Sequence, residues 1–292
     1  MRPALVGAQA DPALLAPHAD ASMHRNALDR DGFALVEGAV DPLTIANLRL
    51  AVEEVITTSG SPDLLRAADG HVRKLTYPLD KHPTFLPALA HPSILGLALV
   101  ISPDPQDLVL TWEDVLVKPA RVGLAVPIHQ DLALQCVTGG VFSLGVHLDD
   151  ADDNPIWFLP GSHRGGPLAR SDLPARDARF IAVRPRAGDI VIHDVLTVHA
   201  SDANTGPRPR HTWYLEFRTR AQLRDGPWDA RWVAARRSIL FHAAARRASG
   251  PWPPLAPGET REQWLSDPPC LRVPHVMGGI EYDLTSPYYH FA

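Results

Sequence analysis

The sequence predicts a mainly β fold with flanking α-helices, a double-stranded β-helix of the jelly-roll, cupin-like kind. Three observations carry that prediction. Between residues 108 and 217 eight short runs rich in Val, Ile and aromatics follow one another closely, as the strands of an antiparallel double-sheet barrel do. Upstream of residue 108 apolar residues recur at helical spacing, so the period changes where the barrel begins. And 292 residues with 45% hydrophobic content suffice for one large domain with a real core.

Taken in order, residues 1–22 are rich in Ala, Pro and Asp without periodicity and read as a loosely held arm, with order beginning near Met23. Asp41 and Pro42 supply an N-cap and a first-turn proline, and Ile45, Leu48, Val52, Val55 and Ile56 recur three and four apart, which predicts an amphipathic helix. The stretch 59–92, punctuated by Gly70, Pro78, Pro83 and Pro87, reads as irregular structure placed to cover a site. The predicted strands are Leu108–Val117, Val126–Leu134, Val141–Leu148, Ile156–Leu159, Phe180–Val183, Asp189–His193, Leu196–His199 and His211–Phe217. Trp228, Trp232, Val233, Ile239, Leu240 and Ala243 then return to helical spacing, with Arg231, Arg236, Arg237, Arg246 and Arg247 largely between them as a solvated basic side. The reading is a single domain over residues 23–292, with the jelly-roll core at about 108–219 and a helical, then irregular, Pro- and aromatic-rich extension over 220–292.

Composition narrows the function. A net charge of −5 gives no basic field to draw in nucleic acid or acidic membrane, so a small-molecule partner is expected. Cys136 and Cys270 are far apart and lack any metal-knuckle or disulfide spacing, which fits a reduced cytoplasm. The first fifteen residues lack the layout of a secretory signal, and the longest apolar stretch, Ile94–Ile101, is too short to cross a bilayer.

The chemistry gathers at His129-Gln130-Asp131. On a strand successive side chains alternate faces, so His129 and Asp131 project the same way and can grip one ion together. Gly188-Asp189 then opens the apolar run that reaches His199, and Arg210 follows eleven residues beyond. Two histidines and one carboxylate on one side of a metal form the facial triad of non-heme Fe(II) oxygenases, which leaves the opposite positions open for chemistry. A permanently charged guanidinium suits the far carboxylate of a dicarboxylate co-substrate.

Over most of its length the chain resembles the phytanoyl-CoA dioxygenase family of iron(II)/2-oxoglutarate oxygenases. Val36–Val55 is similar to the family's opening strand and helix, Val117-Lys118-Pro119 precedes the triad as the family pattern has it, and His129-Gln130-Asp131 matches the first two ligands. Asn154-Pro155 through Leu159-Pro160-Gly161-Ser162-His163-Arg164 resembles the family's Asn-Gly and Pro-Gly-Ser-His signature, and Gly188–His193 with His199-Ala200-Ser201 and Asn204 resembles the strand pair bearing the last ligand. The resemblance implies Fe(II) held by His129, Asp131 and His199, and 2-oxoglutarate held at its distal carboxylate by Arg210 and Ser201. It also places Lys74 where many members keep a basic residue reaching the co-substrate. It implies an O2-consuming enzyme that oxidises, by default hydroxylates, an unactivated C–H bond of a small natural-product or secondary-metabolite intermediate, releasing succinate and CO2. Pro155 and Ala200 stand where Gly is usual, and the presence of Asp131 disfavours halogenation.

Several assignments compete. His193 lies six residues before His199, on the same face of an unbroken strand, and Arg210 decides for His199 as the ligand. His147 reads equally as a packed histidine or a co-substrate contact, and Thr212 as a cross-strand bond or a share in the distal carboxylate. His163, Trp112 and Trp157 read as structural. Arg73 and Lys81 favour an anionic substrate if they face it. The rivals are a cupin-like isomerase or hydrolase using the same ligands without 2-oxoglutarate, and a non-catalytic binding module on the same fold. Oligomeric state is left open.

Overall fold

A computed structural model describes residues 18–102, 104, 107–131, 140–224 and 228–245. Both cysteines and the Pro- and aromatic-rich C-terminal stretch lie outside the described residues. The first helix, α1 (His18–Asp31), begins five residues before the predicted start of order, and β1 (Phe33–Val36) follows. Helix α2 (Pro42–Thr58) begins as its sequence dictates: the Asp41 carboxylate accepts from Thr44 N at 2.9 Å, and Ile45, Leu48, Val52 and Val55 are buried.

The stretch predicted as irregular is ordered instead. It holds β2 (Leu64–Arg66), β3 (Val72–Thr76), α3 (Pro78–Lys81) and α4 (Phe85–Leu89), leading into α5 (Pro92–Ile101). Pro78 and Pro92 stand at helix starts, where a missing N–H costs nothing, rather than marking loops. The barrel strands are β4 (Leu108–Lys118), β5 (Val126–His129), β6 (Phe142–His147), β7 (Ile156–Phe158), β8 (Ile181–Val183), β9 (Ile190–Asp194), β10 (His199–Ser201) and β11 (Arg210–Thr219). The predicted strand Leu196–His199 is mostly turn: Asp194 accepts from Leu196 N through its side chain and from Thr197 N through its carbonyl, so pairing starts only at His199. Helices α6 (Arg220–Arg224) and α7 (Ala230–Ala245) close the described chain.

Two antiparallel sheets form the barrel, a seven-stranded one in the order β1-β9-β6-β11-β4-β3-β2 and a four-stranded one in the order β5-β10-β7-β8. The large sheet thus recruits β1, β2 and β3 from outside the predicted 108–219 core. Alternation along β11 sorts its two faces. Trp213, Leu215 and Phe217 join Val115, Val117, Leu144, Val146, Ile190 and Ile192 in one core with Leu48, Phe85, Leu95 and Leu240 of the helices. Arg210, Thr212, Tyr214 and Glu216 project to the other side, toward the small sheet. Gly145 makes room for this row, since a Cβ there would lie 2.9 Å from the Tyr214 ring.

Helix α7 corrects a second expectation. Arg236 is fully buried, not solvated: it donates to Leu110 O at 2.7 Å and pairs with the equally buried Glu113 at 3.1 Å. Arg73 is likewise buried, donating to Val122 O and pairing with Asp69, and Lys81 pairs with Asp63 and Asp80. At the seam between the sheets Phe33 of β1 stacks on Phe158 of β7, with ring centroids 4.5 Å apart. Among the described residues no helix is long and apolar enough to cross a membrane.

Candidate metal centre

His129 ends β5 and His199 begins β10, and the two are register partners, so pairing of two short strands sets their rings side by side with centroids 4.1 Å apart. Asp131 follows two residues on, its N–H bonded to Val195 O. One ligand atom from each of His129, Asp131 and His199 lies within 4.8 Å of the others. Asp131 Oδ1 stands 3.2 Å from His129 Nε2 and 3.7 Å from His199 Nε2. Nδ1 of His129 donates to Pro127 O at 2.8 Å and Nδ1 of His199 to Thr197 O at 2.9 Å; a carbonyl only accepts, so both Nε2 lone pairs face the centre. Gln130 points away and ties the strand down through Leu196 O, Gly166 O and Leu168 N.

Protonation suits a cation. Burial pushes the His199 pKa down to about 3, with the neighbouring His129 adding to the effect, so His199 is neutral at physiological pH. Burial works against the Asp131 carboxylate, yet the His199, His129 and His193 rings gathered around it hold its pKa well below the usual range. For His129 burial is outweighed by Asp131 and the pKa is raised. Two imidazoles and a carboxylate pressed together this closely, with His129 and Asp131 about one-third exposed, could hold a divalent metal ion.

His193, weighed above as a rival ligand, lies outside this group. It is buried and its Nε2 holds Asp131 Oδ2 at 2.9 Å, leaving Oδ1 for the centre.

Deeper in the barrel Arg210, 2% exposed, donates to Asn154 O at 2.6 Å. Its register partner is Lys118, whose Nζ crosses to the small sheet and donates to Ser201 Oγ at 2.7 Å and to Asp202 O. Asn204 braces this floor, donating to the carbonyls of Lys118 and Arg208 and accepting from Asn154. His147 and Thr212 face each other here, both fully buried, with Nδ1 and Oγ1 3.5 Å apart and the histidine Nε2 without a partner. Burial and Arg210 keep the His147 pKa well below its ordinary value. Lys74 is buried on the same sheet face, paired with Asp114, which also accepts from Trp112 Nε1 at 2.7 Å. Burial pushes the Tyr214 phenol up to about 12.

The triad, Arg210 and Ser201 singled out from the sequence are brought by the fold into one interior. Sequence reasoning gave Lys118 no role and passed over Asp114 and the bond from His193 to Asp131. Lys118 and Asp114 lie on one face of β4 with Leu116, a period-two signal that was present but hidden in an otherwise apolar run.

A sequence profile of the family described as phytanoyl-CoA dioxygenase (PhyH) matches residues 28–212. A curated relative from Dictyostelium discoideum, a phytanoyl-CoA dioxygenase domain-containing protein 1 homolog, is 28% identical, the match covering 34% of this chain and 43% of that one. The chain thus spans less than half the length of that relative. Among solved structures, AviO1 from Streptomyces viridochromogenes is 26% identical with a TM-score of 0.56, covering 69% of this chain and 96% of that one. EctD from S. alaskensis, solved with 2-oxoglutarate and 5-hydroxyectoine, is 20% identical with a TM-score of 0.60, covering 69% and 77%. SnoK, a non-heme alpha ketoglutarate dependent carbocyclase from nogalamycin biosynthesis, is 24% identical with a TM-score of 0.55, covering 67% and 82%. For EctD and SnoK the likeness is one of fold.

Proposed function

This chain belongs to the phytanoyl-CoA dioxygenase family, and from that premise we propose that it is an Fe(II)- and 2-oxoglutarate-dependent dioxygenase acting on a small molecule. The observation that carries the reading is the convergence of His129, Asp131 and His199 within 4.8 Å, two neutral-capable imidazoles and one ionised carboxylate, above a floor formed by Arg210. When bound there with dioxygen, iron and 2-oxoglutarate supply an oxidant able to take hydrogen from an unactivated C–H bond, with succinate, CO2 and, by default, an alcohol as products.

The chain's own residues do the positioning. His129 and His199 present Nε2 because their Nδ1 atoms are committed to backbone carbonyls, and His193 fixes which Asp131 oxygen faces the centre. Arg210 offers a buried guanidinium to the distal carboxylate of the co-substrate, Ser201 a hydroxyl beside it, and His147 and Thr212 polar atoms on the same wall. Lys74 belongs to this reading as a basic group on the co-substrate's side of β4, held meanwhile by Asp114. Trp112 and Tyr214, both partly exposed, are the aromatic side chains this reading assigns to the substrate side. The substrate we propose is a natural-product intermediate, in keeping with the biosynthetic setting that SnoK's description gives.

The test is an anaerobic titration with Fe(II) and 2-oxoglutarate followed by succinate measurement in air. Visible charge-transfer absorbance and succinate release, both lost in Asp131→Ala, are expected. Their absence in the wild type refutes the reading, and succinate release that survives Asp131→Ala refutes the ligand assignment.

A further inference from the structure

A lysine closed off from solvent is ordinarily matched by a carboxylate, because an unpaired buried charge is costly. Lys118 departs from that rule. It is 2% exposed, and its Nζ is held by the Ser201 hydroxyl and the Asp202 carbonyl, both neutral oxygens. The Asp202 carboxylate, the acid nearest in influence, is engaged elsewhere by Arg176 and by Trp157 Nε1 at 2.8 Å. Across the strand pair stands a second cation, Arg210. Burial, then Arg210, drive the ammonium's pKa down to about 6 against the opposing pull of Asp202, so its charge is poorly supported while the floor holds no anion. The backbone is shaped around it as well: a Cβ on Gly123 would lie 2.9 Å from the Lys118 Cβ and 2.7 Å from that of Asn204.

Hydrogen-bond direction gives the arrangement a purpose. With an anion on the floor Lys118 is charged, and an ammonium only donates, so Ser201 Oγ then accepts from Lys118 and its single proton is turned away. We propose that Lys118 is a positioning residue for the distal carboxylate of 2-oxoglutarate: it fixes Ser201 as a donor to that carboxylate and stands beside Arg210 as a second cation at the barrel floor. This rests on the reading of 2-oxoglutarate as co-substrate given above.

The experiment is isothermal titration of the Mn(II)-loaded protein, without oxygen, with 2-oxoglutarate and with 2-oxopentanoate, which has the same chain length but no distal carboxylate. Lys118→Met should weaken 2-oxoglutarate binding by about tenfold to a hundredfold, as loss of a charge-assisted bond does, and 2-oxopentanoate binding by less than about twofold. Lys118→Arg should stay within about threefold of the wild type. Because Lys118 acts through Ser201, the losses in Lys118→Met and Ser201→Ala should overlap in the double variant rather than add. Equal loss of both keto acids, unchanged 2-oxoglutarate binding, or strict additivity overturns the proposal. If Lys118→Met does not fold, Lys118→Gln, which keeps a donor without charge, serves the same comparison, and an unchanged ratio of the two affinities overturns it. A wild type that prefers neither keto acid sinks the co-substrate reading itself, whereas a wild type that prefers 2-oxoglutarate and a Lys118 variant that retains the preference sink only the role of Lys118.

Discussion

The two ends of the barrel interior are held by different kinds of bond. At the open end His129 and Asp131 keep 34% and 32% of their side-chain surface exposed, and His129 and His199 are each oriented by a carbonyl only two residues earlier in the chain. At the floor Arg210 and Lys118 are each 2% exposed, and the bonds that fix them join residues far apart in the chain, Arg210 to Asn154 and, from one sheet to the other, Lys118 to Ser201. The open end is therefore separable from the fold, and the floor is not. A side chain at the mouth can be removed at the expense of chemistry alone, whereas one at the floor takes binding and stability together.

The largest expected effect tests the first half of that contrast. Asp131→Ala should lower turnover by more than about a hundredfold, beyond what loss of a residue that merely orients a ligand does, while the thermal midpoint moves by less than about 5 °C. A collapsed thermal transition would mean that the mouth is structural after all. Arg210→Ala tests the second half: apparent 2-oxoglutarate affinity should fall about tenfold to a hundredfold and stability by about 1–3 kcal/mol, because the Asn154 carbonyl loses its donor in a buried setting. Metal affinity, measured by titration without co-substrate, should hold. His193→Ala sharpens the boundary between the two ends, since His193 is buried yet serves the mouth. A drop of about tenfold to a hundredfold in metal affinity with co-substrate affinity nearly unchanged is expected.

The smallest effect is a slope. His147 is kept neutral at the floor by burial and by Arg210, its pKa well below the ordinary value. Below about pH 6.5 the unfolded chain takes up a proton that the folded site refuses, so stability falls as pH drops, by up to about 1.4 kcal/mol per pH unit for this one group. Urea midpoints of metal-free protein at pH 7 and pH 5 should converge in His147→Gln relative to the wild type. An unchanged slope would remove His147 from the set of strained floor residues.

Much of the site was legible because the periods that reveal it are short. The two-residue spacings of His129 and Asp131 and of Arg210 and Thr212 state which side chains share a face before any contact is known. Long-range pairing was less visible. In the stretch 59–92 the glycine and prolines concealed β2 and β3, whose strand character comes from docking against β4 and not from local propensity. Arg236 was misread although it sits four residues from Trp232 and from Leu240, on the buried stripe of α7; its charge suggested solvent, and only Glu113 on another element could show otherwise. His193 was weighed only as a ligand because spacing places it on a face without saying which atom it meets there.

The aromatic stack at the barrel seam carries a consequence for how the protein is made. Phe33 backs Phe158, whose ring in turn stands 5.6 Å from those of His193 and His199, so the first strand of the chain helps wall the ligand-bearing strands. Phe33–Val36 leaves the ribosome roughly 150 residues ahead of its partner Ile190–Asp194, an interval on the order of ten seconds or more during synthesis. In the latter part of that interval His129 and Asp131 exist without His199, and the unpaired edge waits on one of the longest contacts among the described residues. On the reading of His129, Asp131 and His199 as an Fe(II) site, all three side chains are present to grip the ion only once His199 has been made.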